Sequence, residues 1–141
     1  ESAAIVPESN IHIACQKANA CIVQGRGSHI IILGDASATI QQMNFAGATE
    51  TSIRIFRTAT KHQLFCDCQF QSNIRTDAVR GGSIYADPGS GMVTIKSCTF
   101  ENNYAGWGGA INNAAELMHI ESCEFIGNGA DVMDNAITTN K

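Results

Sequence analysis

Short apolar strands recur along the chain, separated by small-residue turns, with a repeat length near 25 residues. Three copies of the pattern C-x-F-x-x-N carry the repeat, and a less regular copy precedes them. The phenylalanines of these four copies are Phe45, Phe70, Phe100 and Phe125. In the first copy Met43 and Ala48 stand where the cysteine and the asparagine would fall. The repeat is too short for a propeller blade and lacks the leucine-rich consensus, so it predicts a solenoid of stacked strands.

Two other series of strands follow the same repeat. One lies directly before each C-x-F motif, at residues 38–40, 63–65, 93–95 and 118–120. The other follows a small-residue turn and contains Ile84, Ile111 and Ile137. Towards the N-terminus we assign residues 11–13, 30–32 and 53–55 to this last series. Residues 21–23 are assigned to the series before the motifs.

One segment favours a helix by local propensity. Residues 112–121 contain Ala, Glu, Leu and Met, which are good helix formers. In register with the repeat, however, residues 118–120 fall where Val93, Thr94 and Ile95 lie. Because those β-branched residues make a poor helix, we predict a strand here.

The three series together predict an all-β fold, a right-handed parallel β-helix of about five to six coils. We treat residues 1–141 as a single domain, with clear repeats at 38–137 and degenerate coils at 1–37. Coils in such a fold stack about 4.8 Å apart, so equivalent residues form columns. The phenylalanines are expected to form one inward column, and a second is expected at Ile40, Phe65, Ile95 and Ile120.

Polar and glycine positions of the repeat are expected at its bends. Asparagine tolerates a left-handed backbone conformation, and stacked amides can hydrogen-bond to one another along the axis. We therefore predict an asparagine ladder formed by Asn73, Asn103 and Asn128. Glycine pairs precede two strands, and we expect a positive-φ turn at Gly81, Gly82, Gly108 and Gly109.

Six cysteines in a chain this short are typical of an oxidising compartment or of a metal site. None of the close pairs has the spacing of a zinc site, so we predict no metal and a secreted protein. Cys15 and Cys21 flank a short polar loop, where we predict a disulfide. An inward column is expected for Cys68, Cys98 and Cys123. Cys66 would point outward, as a surface thiol, a diagonal bridge to the next coil or an intermolecular link.

Composition excludes several classes of protein. Charged residues make up only 16% of the chain and the net charge is −4, which argues against a nucleic-acid partner. The longest apolar run, residues 30–33, is far shorter than the roughly 18–20 residues that a membrane span requires. The chain starts at Glu1 rather than Met, which suggests a processed chain or an excised fragment. We expect an extracellular or cell-surface protein without a cofactor.

The repeated motifs resemble those of a known family. GGSI at residues 81–84, GGAI at residues 108–111 and the FxxN pattern are similar to motifs in the passenger regions of chlamydial polymorphic outer-membrane proteins. Similar coils occur in secreted right-handed β-helix proteins of the pectate-lyase-like superfold. The resemblance covers roughly residues 38–137 and implies the β-helical fold. It implies little about activity, because that fold hosts lyases, hydrolases, adhesins and structural proteins.

Candidates for catalysis or ligand binding are few. Enzymes of that superfold present clustered carboxylates, whereas only Glu121 and Glu124 are expected near each other here, as solvated surface acids. We assign no catalytic residue, and a polysaccharide lyase or hydrolase using these two glutamates is the alternative. An adhesin fragment is another, with Trp107 as its candidate contact to a surface glycan.

Neither end of the predicted solenoid carries an obvious cap. An open coil edge presents unpaired backbone groups, which template the addition of another strand. Head-to-tail contact between such edges builds an open filament. We therefore expect a non-enzymatic structural module that self-associates through its coil ends or forms part of a longer surface fibre.

Overall fold

The computed structural model describes residues 4–6, 9–18, 20–77, 80–133 and 136–139. Within these ranges no helix is long and apolar enough to cross a membrane. The described strands, numbered in chain order, are β1 (Ala4–Val6), β2 (Ile11–Ala14), β3 (Cys21–Gln24), β4 (Ile30–Ile32), β5 (Ala38–Gln41), β6 (Met43–Ala46), β7 (Ile53–Ile55), β8 (Gln63–Cys66), β9 (Gln69–Gln71), β10 (Ile84–Ala86), β11 (Val93–Lys96), β12 (Thr99–Glu101), β13 (Tyr104–Trp107), β14 (Ile111–Asn113), β15 (Met118–Glu121), β16 (Glu124–Ile126), β17 (Gly129–Met133) and β18 (Ile137–Thr139).

These strands form three long parallel sheets and one short one. The first sheet has the order β1-β4-β7-β10-β14-β18, the second β15-β11-β8-β5-β2 and the third β16-β12-β9-β6-β3. β13 and β17 pair with each other in a fourth sheet. Each turn of the chain therefore adds one strand to each long sheet. The protein is an all-β parallel solenoid of about five turns, which confirms the predicted fold class.

The register places equivalent residues in the predicted columns. The four phenylalanines of the motif face one another on successive coils of the third sheet. The second sheet aligns Ile40, Phe65, Ile95 and Ile120 in the same way. In the middle coils the members of both columns are fully buried. Residues 118–121 form β15 rather than a helix, because Met118 and Ile120 continue the inward positions of Val93 and Ile95.

The first coil differs from its assignment by sequence. β2 pairs with β5 and so belongs to the second sheet, not to the series of Ile84 and Ile111. β3 pairs with β6 and lies in the sheet of the phenylalanines. The first sheet begins instead with β1, which pairs with β4. Apolar side chains point inward at alternate positions in all three sheets, so this alternation does not distinguish one sheet from another.

The first glycine of each pair provides the backbone conformation of the turn, and Gly82 leaves room for the neighbouring coil. Only the first glycine of each pair has a positive φ, +68° at Gly81 and +57° at Gly108. Each pair therefore supplies the predicted positive-φ turn through its first glycine, while Gly82 and Gly109 lie outside the left-handed region. A Cβ on Gly82 would instead meet the carbonyl oxygen of Gly109 on the next coil. Gly82 is therefore required by the close approach of two coils.

Candidate functional site: stacked ladders and open coil ends

A stack of aromatic rings runs along the interior of the third sheet. The ring centroids are 5.3 Å apart between Phe45 and Phe70, 4.8 Å between Phe70 and Phe100, and 5.0 Å between Phe100 and Phe125. These distances lie in the favourable range for aromatic pairs. His29 extends the stack at 6.0 Å from Phe45, and burial lowers the pKa of this imidazole below its usual value. The stack ties successive coils together through their most buried side chains.

The asparagines form a ladder of hydrogen bonds at one bend of the coils. Nδ2 of Asn73 donates to Oδ1 of Asn103 at 3.0 Å, and Nδ2 of Asn103 donates to Oδ1 of Asn128 at 2.9 Å. The same two oxygens accept the backbone N–H groups of Asn73 and Asn103, respectively. Oδ1 of Asn73 accepts the N–H of Ala48, which occupies the position where the repeat has lost its asparagine. The ladder thus supplies partners to buried backbone groups that the bend leaves unpaired.

The left-handed backbone lies one residue before the ladder, not in it. Ser72 has a φ of 50°, Asn102 of 53° and Gly127 of 59°, and each precedes a ladder asparagine. The ladder asparagines have no positive φ, so their tolerance of that conformation does not explain their position. A serine, asparagine or glycine directly before the ladder residue is the sequence signal for this bend. The ladder residues are asparagine because their side chains hydrogen-bond in both axial directions.

The cysteine column lies beside the phenylalanines. Cys68 and Cys98 are fully buried, and Cys123 on the last complete coil is partly exposed. The backbone N–H of Cys68 points at Sγ of Cys98, and that of Cys98 at Sγ of Cys123, each at 3.4 Å. Hydrogen bonding with Cys98 lowers the pKa of the Cys123 thiol to about 7, while the pKa of Cys98 is raised by its thiol neighbours and by burial. Cys123, at the open end of the column, therefore combines a lowered thiol pKa with partial exposure.

The other three cysteines occupy the positions that the sequence predicts. Cys15 and Cys21 are joined by a disulfide across a Cα–Cα distance of 5.7 Å. Cys66 lies in the outward row between Gln41 and Lys96 and is only partly buried. Burial and the neighbouring Asp67 carboxylate raise the pKa of the Cys66 thiol, which disfavours its thiolate. Cys66 is a free thiol in the structure.

The outer rows bring charged groups together as ion pairs. Glu121 lies 3.3 Å from Nζ of Lys96, the neighbour predicted by register, and 3.8 Å from His119. Glu124 lies on the next strand and is exposed. Among the described residues, no group of three or more His, Cys, Asp or Glu side chains is placed to hold a metal ion. The surroundings of Glu121 are those of a surface ion-pair network.

Trp107 lies at the end of β13 and is half-buried. It pairs through its backbone with Arg80 on the preceding coil and with Met133 on the following one. The indole is therefore carried by a strand and its position is set by the coil stack. A glycan contact at Trp107 stays a prediction.

Both ends of the solenoid expose apolar side chains of the inward columns. At the C-terminal end the partly buried members are Met118, Ile120, Cys123, Phe125 and Ile137, and at the N-terminal end they are Ile11, Ile13, Cys21 and Val23. Of the six exposed large apolar side chains among the described residues, four lie on the same coils, at Ile22, Leu117, Ile126 and Val132, while Ile74 and Met92 lie on inner coils. The described chain thus has two apolar ends joined by a fully packed middle.

One comparison with known proteins gave a match. Residues 97–114 match the Chlamydia polymorphic membrane protein repeat. The matched segment begins at the bend before Cys98 and contains Phe100, Asn103 and the glycine pair at Gly108 and Gly109, which is one copy of the repeat. Neither the curated proteins nor the solved structures gave a significant match. The matched repeat and the parallel solenoid both fit a β-helical repeat module.

Proposed function

We propose that this chain is a non-enzymatic structural module of an outer surface, and that its terminal coils associate end to end with a second copy. The match to a membrane-protein repeat supports placement at a surface. The observation that carries the proposal is the partial exposure of the inward columns at both terminal coils. Covering such surface is favourable by about 25 cal/mol per Å².

Unpaired strand edges support the same contact. Within the part of the chain that the structure describes, β2 and β3 pair on one side only, and so do β15 and β16 at the opposite end. Such edges add further strands through backbone hydrogen bonds. The first sheet has one strand more than the other two. If the second and third sheets continue from one copy to the next, β18 of one copy and β1 of the next would therefore occupy the same position in the first sheet. The contact is therefore carried by the edges of the second and third sheets.

The register of the coils dictates which side chains meet in this stack. Continuing each column by one step places Phe125 against Val23 of the next copy, and Ile120 against its Ile13. On the outer row, Glu124 comes to lie beside Ile22 of the next copy. Apolar residues thus meet inside, and one carboxylate faces an aliphatic side chain outside.

A lack of catalysis is supported by the surroundings of the carboxylates. An enzyme using Glu121 and Glu124 requires two carboxyl groups placed for acid and base roles, about 5–9.5 Å apart across a substrate. Glu121 is instead held between Lys96 and His119 in its own sheet. Its charge is partly neutralised before any substrate arrives.

Ile22→Asp is the variant that tests the stack. Ile22 is 58% exposed, so the isolated chain should tolerate the change. In the stack the new carboxylate would lie beside Glu124, and like charges directly opposite on paired strands are unfavourable by up to about 1 kcal/mol. We expect sedimentation velocity to show concentration-dependent assembly of the wild-type chain and an assembly midpoint raised about fivefold in the variant.

Two matched variants separate the end contact from general effects of charge. Ile74→Asp places the same charge at a 45% exposed position in the middle of the solenoid, and should assemble like the wild type. Ile22→Lys places a cation beside Glu124 and should retain assembly. A wild-type chain that stays monomeric at millimolar concentration, or equal loss in Ile22→Asp and Ile74→Asp, would contradict the proposal.

A further inference from the structure

A small cavity lies on the outer face of the first sheet, away from both coil ends. It has a volume of about 290 Å³ and is lined by Arg54, Arg57, Tyr85, Asp87 and Pro88. Arg54 in β7 is the register partner of Tyr85 in β10. The backbone N–H of Asp87 bonds to the carbonyl of Ile55 at 2.9 Å, which fixes the turn after β10 against the turn after β7. The cavity is thus built by two successive coils.

The guanidinium of Arg54 lies over aromatic rings but is poorly neutralised. Its carbon lies 4.2 Å from the ring centroid of Phe56 and 5.6 Å from that of Tyr85. The Asp87 carboxylate is 3.6 Å from Nη2, which is longer than a hydrogen bond. Nε is buried without a hydrogen-bond partner, although more than a third of the side chain is exposed. An anion bound at the exposed edge of this guanidinium would complete the neutralisation of Arg54 that Asp87 achieves only in part.

A second cation makes the cavity positive in an acidic chain. Arg57 follows β7 in the turn and makes no ion pair with any residue that the structure describes. The lining of the cavity therefore includes two arginines and one aspartate, in a protein whose net charge is −4. Planar guanidinium groups match carboxylates through paired hydrogen bonds.

We propose that this cavity binds a small hydroxycarboxylate, with its carboxylate on Arg54 and Arg57 and its hydroxyl donating to Asp87. The excess of cations in the lining favours an anion, and planar guanidinium groups favour a carboxylate, with which they form paired hydrogen bonds. Asp87 is buried with its carboxylate beside the cavity, so it accepts a hydrogen bond and would repel a second carboxylate. The volume of the cavity, about 290 Å³, lies just below the volumes usual for ligand sites, which begin at about 300 Å³, so the ligand must be small. This site is independent of the end-to-end contact.

Lactate titration followed by amide NMR tests the proposal. We expect saturable shifts confined to residues near 54, 57 and 87, with a dissociation constant of about 1 mM. Propionate lacks the hydroxyl and should bind several-fold more weakly, and lactamide lacks the charge and should not bind. Arg54→Gln should weaken lactate binding at least about tenfold, since one charge-assisted interaction is lost.

Two further variants test whether the loss of lactate binding is specific to the cavity. Arg57→Gln changes an exposed turn residue, so it should weaken binding even if Arg54→Gln fails to fold. Arg26→Gln removes an exposed cation from another loop and should leave the affinity unchanged. Shifts that do not saturate, equal binding of propionate and lactate, or equal loss in Arg26→Gln would overturn the proposal.

Discussion

Replacing Phe100 by alanine should lower the free energy of unfolding by about 3–5 kcal/mol. Phe100 is fully buried, and its ring lies between those of Phe70 at 4.8 Å and Phe125 at 5.0 Å. The substitution removes the ring from a packed interior and leaves a cavity where two aromatic contacts were made. Urea unfolding monitored by circular dichroism measures the change.

Phe125→Ala is the matched control for this variant. Phe125 belongs to the same column but lies on the last coil, where it is partly exposed and, among the described rings, stacks on that of Phe100 only. Its removal should cost clearly less than the removal of Phe100, since less apolar surface was buried. Equal losses in the two variants would show that burial along the column does not determine stability.

Replacing Asn103 by alanine should lower the free energy of unfolding by about 2–6 kcal/mol, through polar groups rather than through volume. Its Nδ2 donates to the carbonyl of Phe70 at 3.0 Å, and its Oδ1 accepts the N–H of Asn73 at 3.1 Å. Both backbone groups would be left buried without these partners, at about 1–3 kcal/mol each. The same urea titration measures the effect.

Asn102→Gly provides the control at the neighbouring position. Asn102 is exposed and has a φ of 53°, a conformation that glycine adopts without strain. We expect its stability to stay within about 0.5 kcal/mol of the wild type. A large loss at Asn102 together with a small one at Asn103 would contradict the role assigned to the ladder.

The columns could be predicted from sequence because a solenoid converts spacing along the chain into stacking in space. Once Phe70, Phe100 and Phe125 are aligned, the positions of Ile95, Lys96 and Glu121 follow from the repeat alone. The disulfide between Cys15 and Cys21 is equally local, because the two residues flank one short loop.

Features that depend on which sheet a strand joins could not be predicted from sequence in the same way. The first coil keeps a cysteine, Cys21, but has Val23 in the phenylalanine position and lacks the asparagine, so β2 and β3 were open to assignment to any sheet with an apolar face. The arginine-lined cavity could not be predicted from the sequence for a related reason. Arg54 and Tyr85 are 31 positions apart, in coils of unequal length, and only the strand register brings them together.

Electron cryo-microscopy of the wild-type chain at assembling concentrations tests the central claim most directly. About five coils per copy, each about 4.8 Å high, predict unbranched filaments with an axial repeat of about 24 Å. That repeat requires the coils of successive copies to continue one ladder, as the exposed columns at both ends imply. Single globular particles at every concentration, or assemblies joined side by side, would contradict the account.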